Sequence, residues 1–290
     1  MQKAASPVTG ILLMAAAMAT LPFLDVVAKM LGQQGVPVLQ IVWARMAMGT
    51  LATLPLALMA EGPRGVLPGR SGLHALRALL LIAATFCFFY ALKFLPIADA
   101  LAIFFVQPLI VTLLSPLILG EHVGPRRWVA VAVGFLGTLI IIRPGFQAFN
   151  RGMGLALAAG AALALYFLVT RRMSGRDHPM VTTFRTSLLG TIFVSAVIWV
   201  VWQEPTPAQW GLFVALGLLS TLGHGMIVMA YDRAEASLLA PLAYLEMVMA
   251  VVAGWWFFGD FPDIWTFAGV AVLIGCALYI SARERAAMRA

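Results

Sequence analysis

Charged side chains are scarce in this sequence. Only 11% of the 290 residues are Asp, Glu, Lys or Arg, whereas 62% are hydrophobic. Soluble domains carry about 25% charged residues, so this chain has too few to cover a water-exposed surface. The shortage excludes an ordinary soluble domain and predicts an integral membrane protein surrounded by a lipid bilayer.

Cysteine is almost absent too, because the chain has only Cys87 and Cys276, both inside apolar runs. They supply neither a disulfide framework nor the spacing of a metal site. The sequence also lacks His-Glu-x-x-His, a nucleophile elbow and the phosphate-binding Gly-x-x-x-x-Gly-Lys. We therefore expect no enzyme, no ATP-driven pumping by this chain, no metal and no cofactor. The net charge of +7 comes from segment ends, so no nucleic-acid partner is expected.

Long apolar runs are what the chain does contain. A spanning helix needs about 20 mostly apolar residues, and ten such segments predict an all-α bundle of ten transmembrane helices. Their predicted limits are 10–31, 38–60, 73–94, 97–118, 126–144, 152–172, 180–202, 208–231, 237–258 and 264–282. The first run could be mistaken for a signal peptide, but it is too long for one.

Basic residues predict the orientation of the bundle. With a cytoplasmic amino terminus, 13 of the 19 Lys and Arg residues fall on the cytoplasmic side, Arg77 among them, and four fall on the other. This bias agrees with the positive-inside rule. Ten crossings return the chain to the side where it began, so we expect both termini in the cytoplasm.

One stretch of the chain occurs twice. A shift of 139 residues places Gln107 on Glu246, and it places the Gly-acid pair ending at Glu121 on the pair ending at Asp260. Each copy is an apolar run with one strongly polar side chain near its middle. Hydrocarbon penalises a mid-span carboxylate by about 2.5–3.5 kcal/mol on insertion scales, so the repetition indicates a use for these positions.

Other matches keep the same order along both halves. We predict two five-helix repeats, 1–145 and 146–290, within one membrane bundle. Small residues at Gly134 and Gly275, each four positions after an alanine, predict a packing seam on both fifth helices. Because five is odd, the second repeat is inverted, and inverted repeats place a substrate site between them near the midplane.

Proline, glycine and acid positions carry a resemblance to a known family. With Pro108, Glu121 and Gly137 in the first half, the two-copy pattern resembles the EamA-type domain of the drug/metabolite transporter superfamily. Over essentially the whole chain, the resemblance implies two EamA-like repeats and export of small metabolites, often amino acids, across a bacterial inner membrane. Within the family the chain is most similar to exporters of aromatic amino acids. The second copy departs from the pattern, with Met247 for the proline and Asp260 for the glutamate.

Gln107 and Glu246 are the first candidates for substrate contact. Gln107 can donate and accept hydrogen bonds, whereas an ionised Glu246 only accepts and suits an ammonium. Intramembrane ionisable groups are functional by default, although a hydrogen bond that fastens two helices is the alternative. Glu246 could also exchange a proton, so proton-coupled and facilitated transport both stay open.

Further candidates lie on the third, sixth and eighth helices. Thr221 and His224 share one face, although a lone intramembrane histidine is often only a packing residue. Aromatic residues could stack on a flat substrate, but core or lipid-facing positions would also explain them. The predicted substrate-binding residues are Gln107, Glu246, His224, Thr221, Thr85, Phe86, Tyr90 and Tyr166.

Three residues are predicted to act as hinges or gates. Pro22 and Pro108 fall mid-helix, where a lost backbone hydrogen bond allows bending, although packing kinks would look the same. Asp25 is expected to pair with Lys29 four residues later and to gate the outer mouth.

Arg45 and Arg185 occupy corresponding places in the second and seventh helices. We interpret both as structural, with guanidinium groups that snorkel to the membrane surface or bind backbone carbonyls.

The sequence as a whole predicts a monomeric secondary transporter that exports amino acids or similar small metabolites by alternating access. Multidrug efflux and nucleotide-sugar exchange are the competing functions within the fold. Nucleotide sugars would require basic residues in the cavity, whereas the predicted midplane is acidic or neutral. A channel is a more distant alternative, because it would need a continuous polar pore.

Overall fold

The computed structural model describes residues 7–66, 71–120, 125–142, 150–173, 177–231, 233, 242 and 244–289. Over these residues the protein is all-helical, which confirms the predicted fold class. The helices are α1 (Pro7–Gln33), α2 (Val38–Val66), α3 (Ser71–Ala91), α4 (Ile97–Phe104), α5 (Gln107–Leu119), α6 (Pro125–Ile142), α7 (Arg151–Met173), α8 (Pro179–Ser195), α9 (Pro207–Tyr231), α10 (Tyr244–Phe258) and α11 (Ile264–Arg289). A 3-10 turn, Ile198–Val200, follows α8.

Several helices have the length that a bilayer requires. Within the described residues, α1, α2, α3, α7 and α9 contain stretches long and apolar enough to cross a membrane. Shorter apolar stretches come from α4 with the start of α5, from α10 and from α11. Large apolar side chains are exposed around the bundle, for example Leu117 and Trp256, as expected where lipid rather than water surrounds a protein.

The helix packing is symmetric between the two halves of the chain. Helix α1 lies against α9, and its counterpart α7 lies against α3. Likewise α2 packs on its counterpart α8, and α6 packs on its counterpart α11. Exchanging the halves leaves these neighbours unchanged, as expected for two inverted five-helix repeats. The limits at 145 and 146 stay a prediction.

The predicted fourth helix is interrupted next to its polar residue. Helix α4 ends at Phe104, and α5 begins at Gln107 with Pro108 in its first turn. Proline has no N–H to donate to the carbonyl four residues earlier, which is that of Phe104. A Cβ at Gly160 of α7 would lie 2.8 Å from the Phe104 carbonyl oxygen, so glycine permits this close approach.

The small-residue seam lies on a different face from the one predicted. Helices α6 and α11 approach at Gly137 and Gly269, where a Cβ on Gly269 would lie 2.6 Å from the Gly137 carbonyl oxygen. A Cβ on Gly275 meets nothing within 4 Å, so its predicted role is wrong. Six residues separate the two glycines of α11, which places them about 120° apart around the helix. The surroundings of Gly134 lie outside the description.

Two predicted helix limits also change. Helix α8 ends at Ser195, earlier than the predicted limit of 202. Helix α10 is described from Tyr244, and the predicted part before it lies outside the described residues except for Leu242.

Candidate substrate site

Arg45 of α2 connects three helices inside the bundle. Its Nη1 donates to Thr85 Oγ1 of α3 at 2.7 Å, and its Nε donates to Ser220 Oγ of α9 at 3.3 Å. The guanidinium carbon also lies 5.9 Å from the ring centroid of Phe89. These partners are side chains within the bundle rather than solvent or backbone carbonyls, which corrects the snorkelling interpretation. Part of the Arg45 surface stays accessible, so the cation is held in place without being fully enclosed.

One carboxyl group interacts with this cation, and a second carboxyl group interacts with the first. Asp25 of α1 is only 7% exposed and interacts electrostatically with Arg45. Glu246 of α10 is half-buried and interacts with Asp25. Glu246 lies in the first turn of its helix, where the helix dipole favours a negative charge. Helices α1, α2 and α10 therefore bring one guanidinium and two carboxyl groups together. We refer to Asp25, Arg45, Thr85, Ser220 and Glu246 as the central cluster.

His224 lies at the edge of the central cluster. Its Nδ1 is 2.9 Å from the carbonyl oxygen of Ser220, one turn earlier in α9. Because a carbonyl only accepts, Nδ1 donates and Nε2 is the acceptor of the neutral ring. The ring interacts electrostatically with Arg45, and Thr221, the residue after Ser220, is half-buried. The structure thus brings His224 to the cluster with one ring nitrogen already bonded.

The aromatic ring beside the cluster belongs to Phe89, one of the third-helix aromatic residues that the sequence offered for stacking but not one of the predicted substrate-binding residues. Phe86 and Tyr90 stack on each other, with centroids 5.8 Å apart and planes 6° apart, and Tyr90 is 37% exposed. Phe89 is 4% exposed and is the ring that faces Arg45. Phe89 follows Thr85 by one helical turn, which places the two residues on the same face of α3.

Tyr166 of α7 lies between the central cluster and a second group of polar side chains. Its hydroxyl accepts a hydrogen bond from Arg77 Nη2 at 2.8 Å, and the Arg77 guanidinium carbon lies 4.9 Å from its ring centroid. Tyr166 also interacts electrostatically with Arg45. Arg77 is 3% exposed, so its side chain is buried in the bundle, and its place on the cytoplasmic side stays a prediction. The Tyr166 ring and hydroxyl stabilise that cation inside the bundle.

Gln107 and Glu246 correspond in position, as the repetition predicted. Gln107 is the first residue of α5 and Glu246 is the third of α10, so the shift that relates them relates two helix starts. Gln107 is half-buried. Among the described residues, no hydrogen bond joins its side chain to the central cluster.

The predicted ion pair between Asp25 and Lys29 is wrong. Lys29 Nζ lies 2.6 Å from Asp260 Oδ2 and 4.6 Å from the ring centroid of Phe258. Pairs four residues apart on one helix contribute only about 0.2–0.5 kcal/mol. Lys29 pairs instead with Asp260, which follows α10, and Asp25 interacts electrostatically with Arg45 of α2.

The two predicted proline hinges differ in their surroundings. Pro22 is buried inside α1, which continues as one helix from Pro7 to Gln33. Pro108 lies at the start of α5, just after the interruption, and its side-chain surroundings lie outside the description. A hinge role for either residue stays a prediction.

A cavity of about 480 Å³ opens beside the Lys29–Asp260 pair. Its wall reaches towards the central cluster, because Phe89 lines the cavity and also faces Arg45. We call this cavity the vestibule. Its lining includes Lys29, Gln33, Phe89, Lys93, Pro96 and Asp260.

Comparison with known proteins identifies the family. The sequence model of the EamA-like transporter family matches residues 8–143 and, a second time, residues 150–282. The chain belongs to this family. It is therefore a multi-pass membrane transporter of the drug/metabolite transporter superfamily and not an enzyme.

Several curated EamA-family relatives match most of the chain. An S-adenosylmethionine uptake transporter of Rickettsia bellii is 27% identical over 273 residues, covering 91% of this chain and 90% of the relative. A riboflavin transporter of Vibrio cholerae is 29% identical over 254 residues, 87% of this chain and 85% of the relative. A pseudopaline exporter of Pseudomonas aeruginosa is 31% identical over 250 residues, 83% of this chain and 85% of the relative.

One solved crystal structure has the same fold as this EamA-family chain. It superposes with a TM-score of 0.66 at 20% sequence identity and covers 96% of this chain and 97% of that chain. The likeness therefore supports the ten-helix repeated architecture over nearly the whole length of the protein.

Proposed function

We propose that this EamA-family protein exports amino acids or similar small zwitterionic metabolites across a bacterial inner membrane, with both termini in the cytoplasm. The central cluster is the observation that supports this proposal. A zwitterion carries an ammonium and a carboxylate, and the cluster offers carboxyl groups from Asp25 and Glu246 and a guanidinium from Arg45. Carboxyl oxygens accept hydrogen bonds and guanidinium groups donate them, so the cluster offers partners for both ends of such a solute.

The hydroxyl partners of Arg45 support a binding role. Thr85 and Ser220 hold two of its N–H groups from two different helices, which fixes the direction of the guanidinium plane. A cation that is already oriented loses less side-chain freedom when a carboxylate binds. Phe89 supplies an apolar wall beside it, which suits an amphipathic solute with an aromatic or aliphatic side chain.

The names of the relatives support a small organic solute. One relative is named for S-adenosylmethionine, a compound that carries an α-amino acid group. Others are named as a riboflavin transporter and a pseudopaline exporter, so the test includes a flat ring system and measures the direction of movement.

The symmetric packing of the two halves supports transport by alternating access. Inverted repeats move solute by rocking one repeat against the other around a fixed site. The Lys29–Asp260 pair ties α1 of the first half to the residue that follows α10 of the second half. We propose that this pair closes the outer side of the path, with the vestibule leading from the central cluster to the outer surface.

Counterflow in proteoliposomes tests the proposal. Purified protein is reconstituted in vesicles loaded with one unlabelled solute, and entry of radiolabelled phenylalanine is followed. The unlabelled set contains phenylalanine, phenethylamine, S-adenosylmethionine and riboflavin. We expect phenylalanine to drive exchange and phenethylamine, which lacks the carboxylate, to drive at least about tenfold less.

Controls for the counterflow experiment come from the cluster itself. Arg45→Gln is expected to abolish the preference for phenylalanine over phenethylamine, whereas Glu246→Gln is expected to weaken the exchange of both solutes, because both carry the ammonium. If riboflavin exchanges with itself while no amino acid exchanges, the zwitterion proposal is wrong, although the chain would still be a transporter. Inside-out and right-side-out vesicles with imposed solute gradients then establish the direction.

A further inference from the structure

A second buried polar cluster lies away from the vestibule, where α3, α7 and α8 meet. His74 and Arg77 belong to α3, Asp177 precedes α8, and Arg185 lies within α8. We call these four residues the basic cluster. His74, Arg77 and Arg185 are 1%, 3% and 6% exposed, so their polar atoms depend on partners inside the bundle.

One carboxylate serves two basic side chains in this cluster. Asp177 Oδ1 accepts from Arg185 Nη1 at 3.1 Å, and Asp177 Oδ2 lies 3.2 Å from His74 Nε2. Arg77 bonds the neutral hydroxyl of Tyr166 instead. Two guanidinium groups and one carboxylate leave one positive charge in excess, even with His74 neutral.

The same side chains have hydrogen-bonding atoms without partners. Arg77 Nε, Arg77 Nη1, Arg185 Nε and His74 Nδ1 are buried and make no hydrogen bond. Guanidinium groups carry only donors, so at least three of these four atoms are N–H groups that need an acceptor. Buried donors of a charged group are costly to leave unpaired, and an excess buried charge adds to that cost.

We infer that the basic cluster binds a small anion, whose oxygen or halide atoms accept hydrogen bonds from Arg77 and Arg185. An anion would neutralise the excess charge and supply the acceptors that the described residues lack. Carboxylate and inorganic anions share this chemistry, and guanidinium groups suit both. This inference does not depend on which solute the transporter carries.

The position of the basic cluster distinguishes it from the central cluster. Arg77 precedes Thr85 by eight residues on α3, which corresponds to about 12 Å along a helix. An α-amino acid is too short to contact both with its ammonium and carboxylate. The basic cluster is therefore a separate anion site, at the end of the bundle that the charge bias predicts to be cytoplasmic.

Thermal unfolding of the purified full chain in detergent tests the inference. Sodium acetate and sodium chloride are titrated at constant ionic strength against the sodium salt of the bulky sulfonate MES. A bound anion stabilises the folded state by mass action, so we expect a saturable rise in Tm of a few degrees. A rise with acetate alone identifies a carboxylate site, and an equal rise with chloride identifies an inorganic-anion site.

Substitutions assign the effect to the cluster. Arg77→Gln is expected to remove the rise in Tm, and Arg77→Lys, which keeps the charge, is expected to weaken the apparent affinity at least about tenfold. Arg172→Gln is the matched control, because Arg172 is an exposed arginine near the C-terminal end of α7, the helix that carries Tyr166. This variant should keep the full rise in Tm.

Two results would overturn the inference. One is a wild-type Tm that follows ionic strength alone, in which case water satisfies the unpaired donors. The other is an anion-dependent rise that persists in Arg77→Gln. If that variant does not fold, Arg77→Lys together with the wild-type titration decides, since an unchanged affinity in the lysine variant would also exclude the site.

Discussion

Lys29 and Asp260 are 231 residues apart in the sequence, yet Lys29 Nζ lies 2.6 Å from Asp260 Oδ2. The pair joins α1 in the first half to the residue that follows α10 and Gly259 in the second half. Asp260 is the acid of the Gly-acid pair that closes the second copy of the repeated stretch. The position that sequence repetition singled out is therefore a contact between the two halves of the transporter.

Removing either member of the Lys29–Asp260 pair is expected to slow transport and to destabilise the protein. Lys29→Gln and Asp260→Asn each leave the other charge without its partner, and Lys29 is only 10% exposed. The double variant should therefore be less destabilised than the sum of the single variants, by about 1 kcal/mol. Thermal unfolding of the four proteins measures this coupling.

Lys93 provides the control for this comparison of single and double variants. It is an exposed lysine that lines the same vestibule, so Lys93→Gln should leave stability and transport nearly unchanged. Strict additivity of Lys29→Gln and Asp260→Asn would show that the ion pair does not hold the two halves together.

Arg45→Lys is expected to reduce transport at least about tenfold, although it conserves the charge. Arg45 donates one hydrogen bond from Nε to Ser220 and another from Nη1 to Thr85. A lysine ammonium lacks the planar guanidinium fork and cannot donate in both of these directions. Initial rates in proteoliposomes measure the loss, and Arg151→Gln, at an exposed arginine of α7, controls for charge. Wild-type rates in Arg45→Lys would argue that the residue only balances the carboxylates.

The sequence predicted the architecture well because that architecture depends on composition and repetition. Apolar runs of spanning length are visible in one sequence, and the matched order of the two halves predicts inverted packing. The interruption between Phe104 and Gln107 was not predicted as a break, because local apolar periodicity continues across it. Pro108 removes the backbone hydrogen bond to the Phe104 carbonyl, and the close approach of Gly160 to that carbonyl is visible only in the tertiary structure.

The polar partners were predicted less well, for a related physical reason. Asp25 and Lys29 have the spacing of a helix ion pair, but Lys29 pairs with Asp260 after α10, and Asp25 interacts electrostatically with Arg45 of α2. Arg77 was counted only as a positive charge on the cytoplasmic side, whereas the structure buries it against Tyr166. Pair spacing on one helix carries no information about which residues the other helices bring near.

Glu246→Gln distinguishes substrate binding from proton exchange. If Glu246 carries the coupling proton, the variant should retain counterflow but lose any dependence of accumulation on a pH gradient, because the amide cannot titrate. If Glu246 binds only the substrate ammonium, counterflow itself should fall at least about tenfold. Unchanged counterflow and unchanged gradient dependence would remove Glu246 from the site.

Gln107→Ala is the companion test for the first repeat. Gln107 holds the matched position at the start of α5 but has no described hydrogen bond to the central cluster. We expect a smaller effect on counterflow than that of Glu246→Ala, with membrane insertion unchanged in both. Equal loss in the two variants would instead indicate that the repeats bind substrate alike.

Gly269→Ala is expected to destabilise the protein by about 1–3 kcal/mol, the usual range for overpacking. The added methyl group would lie 2.6 Å from the Gly137 carbonyl oxygen, which forces α6 and α11 apart. On the same helix, the methyl group added by Gly275→Ala would meet nothing within 4 Å. This variant should be neutral or stabilising by about 0.5–1 kcal/mol, because alanine has a higher helix propensity than glycine. Thermal unfolding of both variants measures the difference. Equal stability of the two would contradict the Gly137–Gly269 seam, since the seam requires opposite signs from the same substitution.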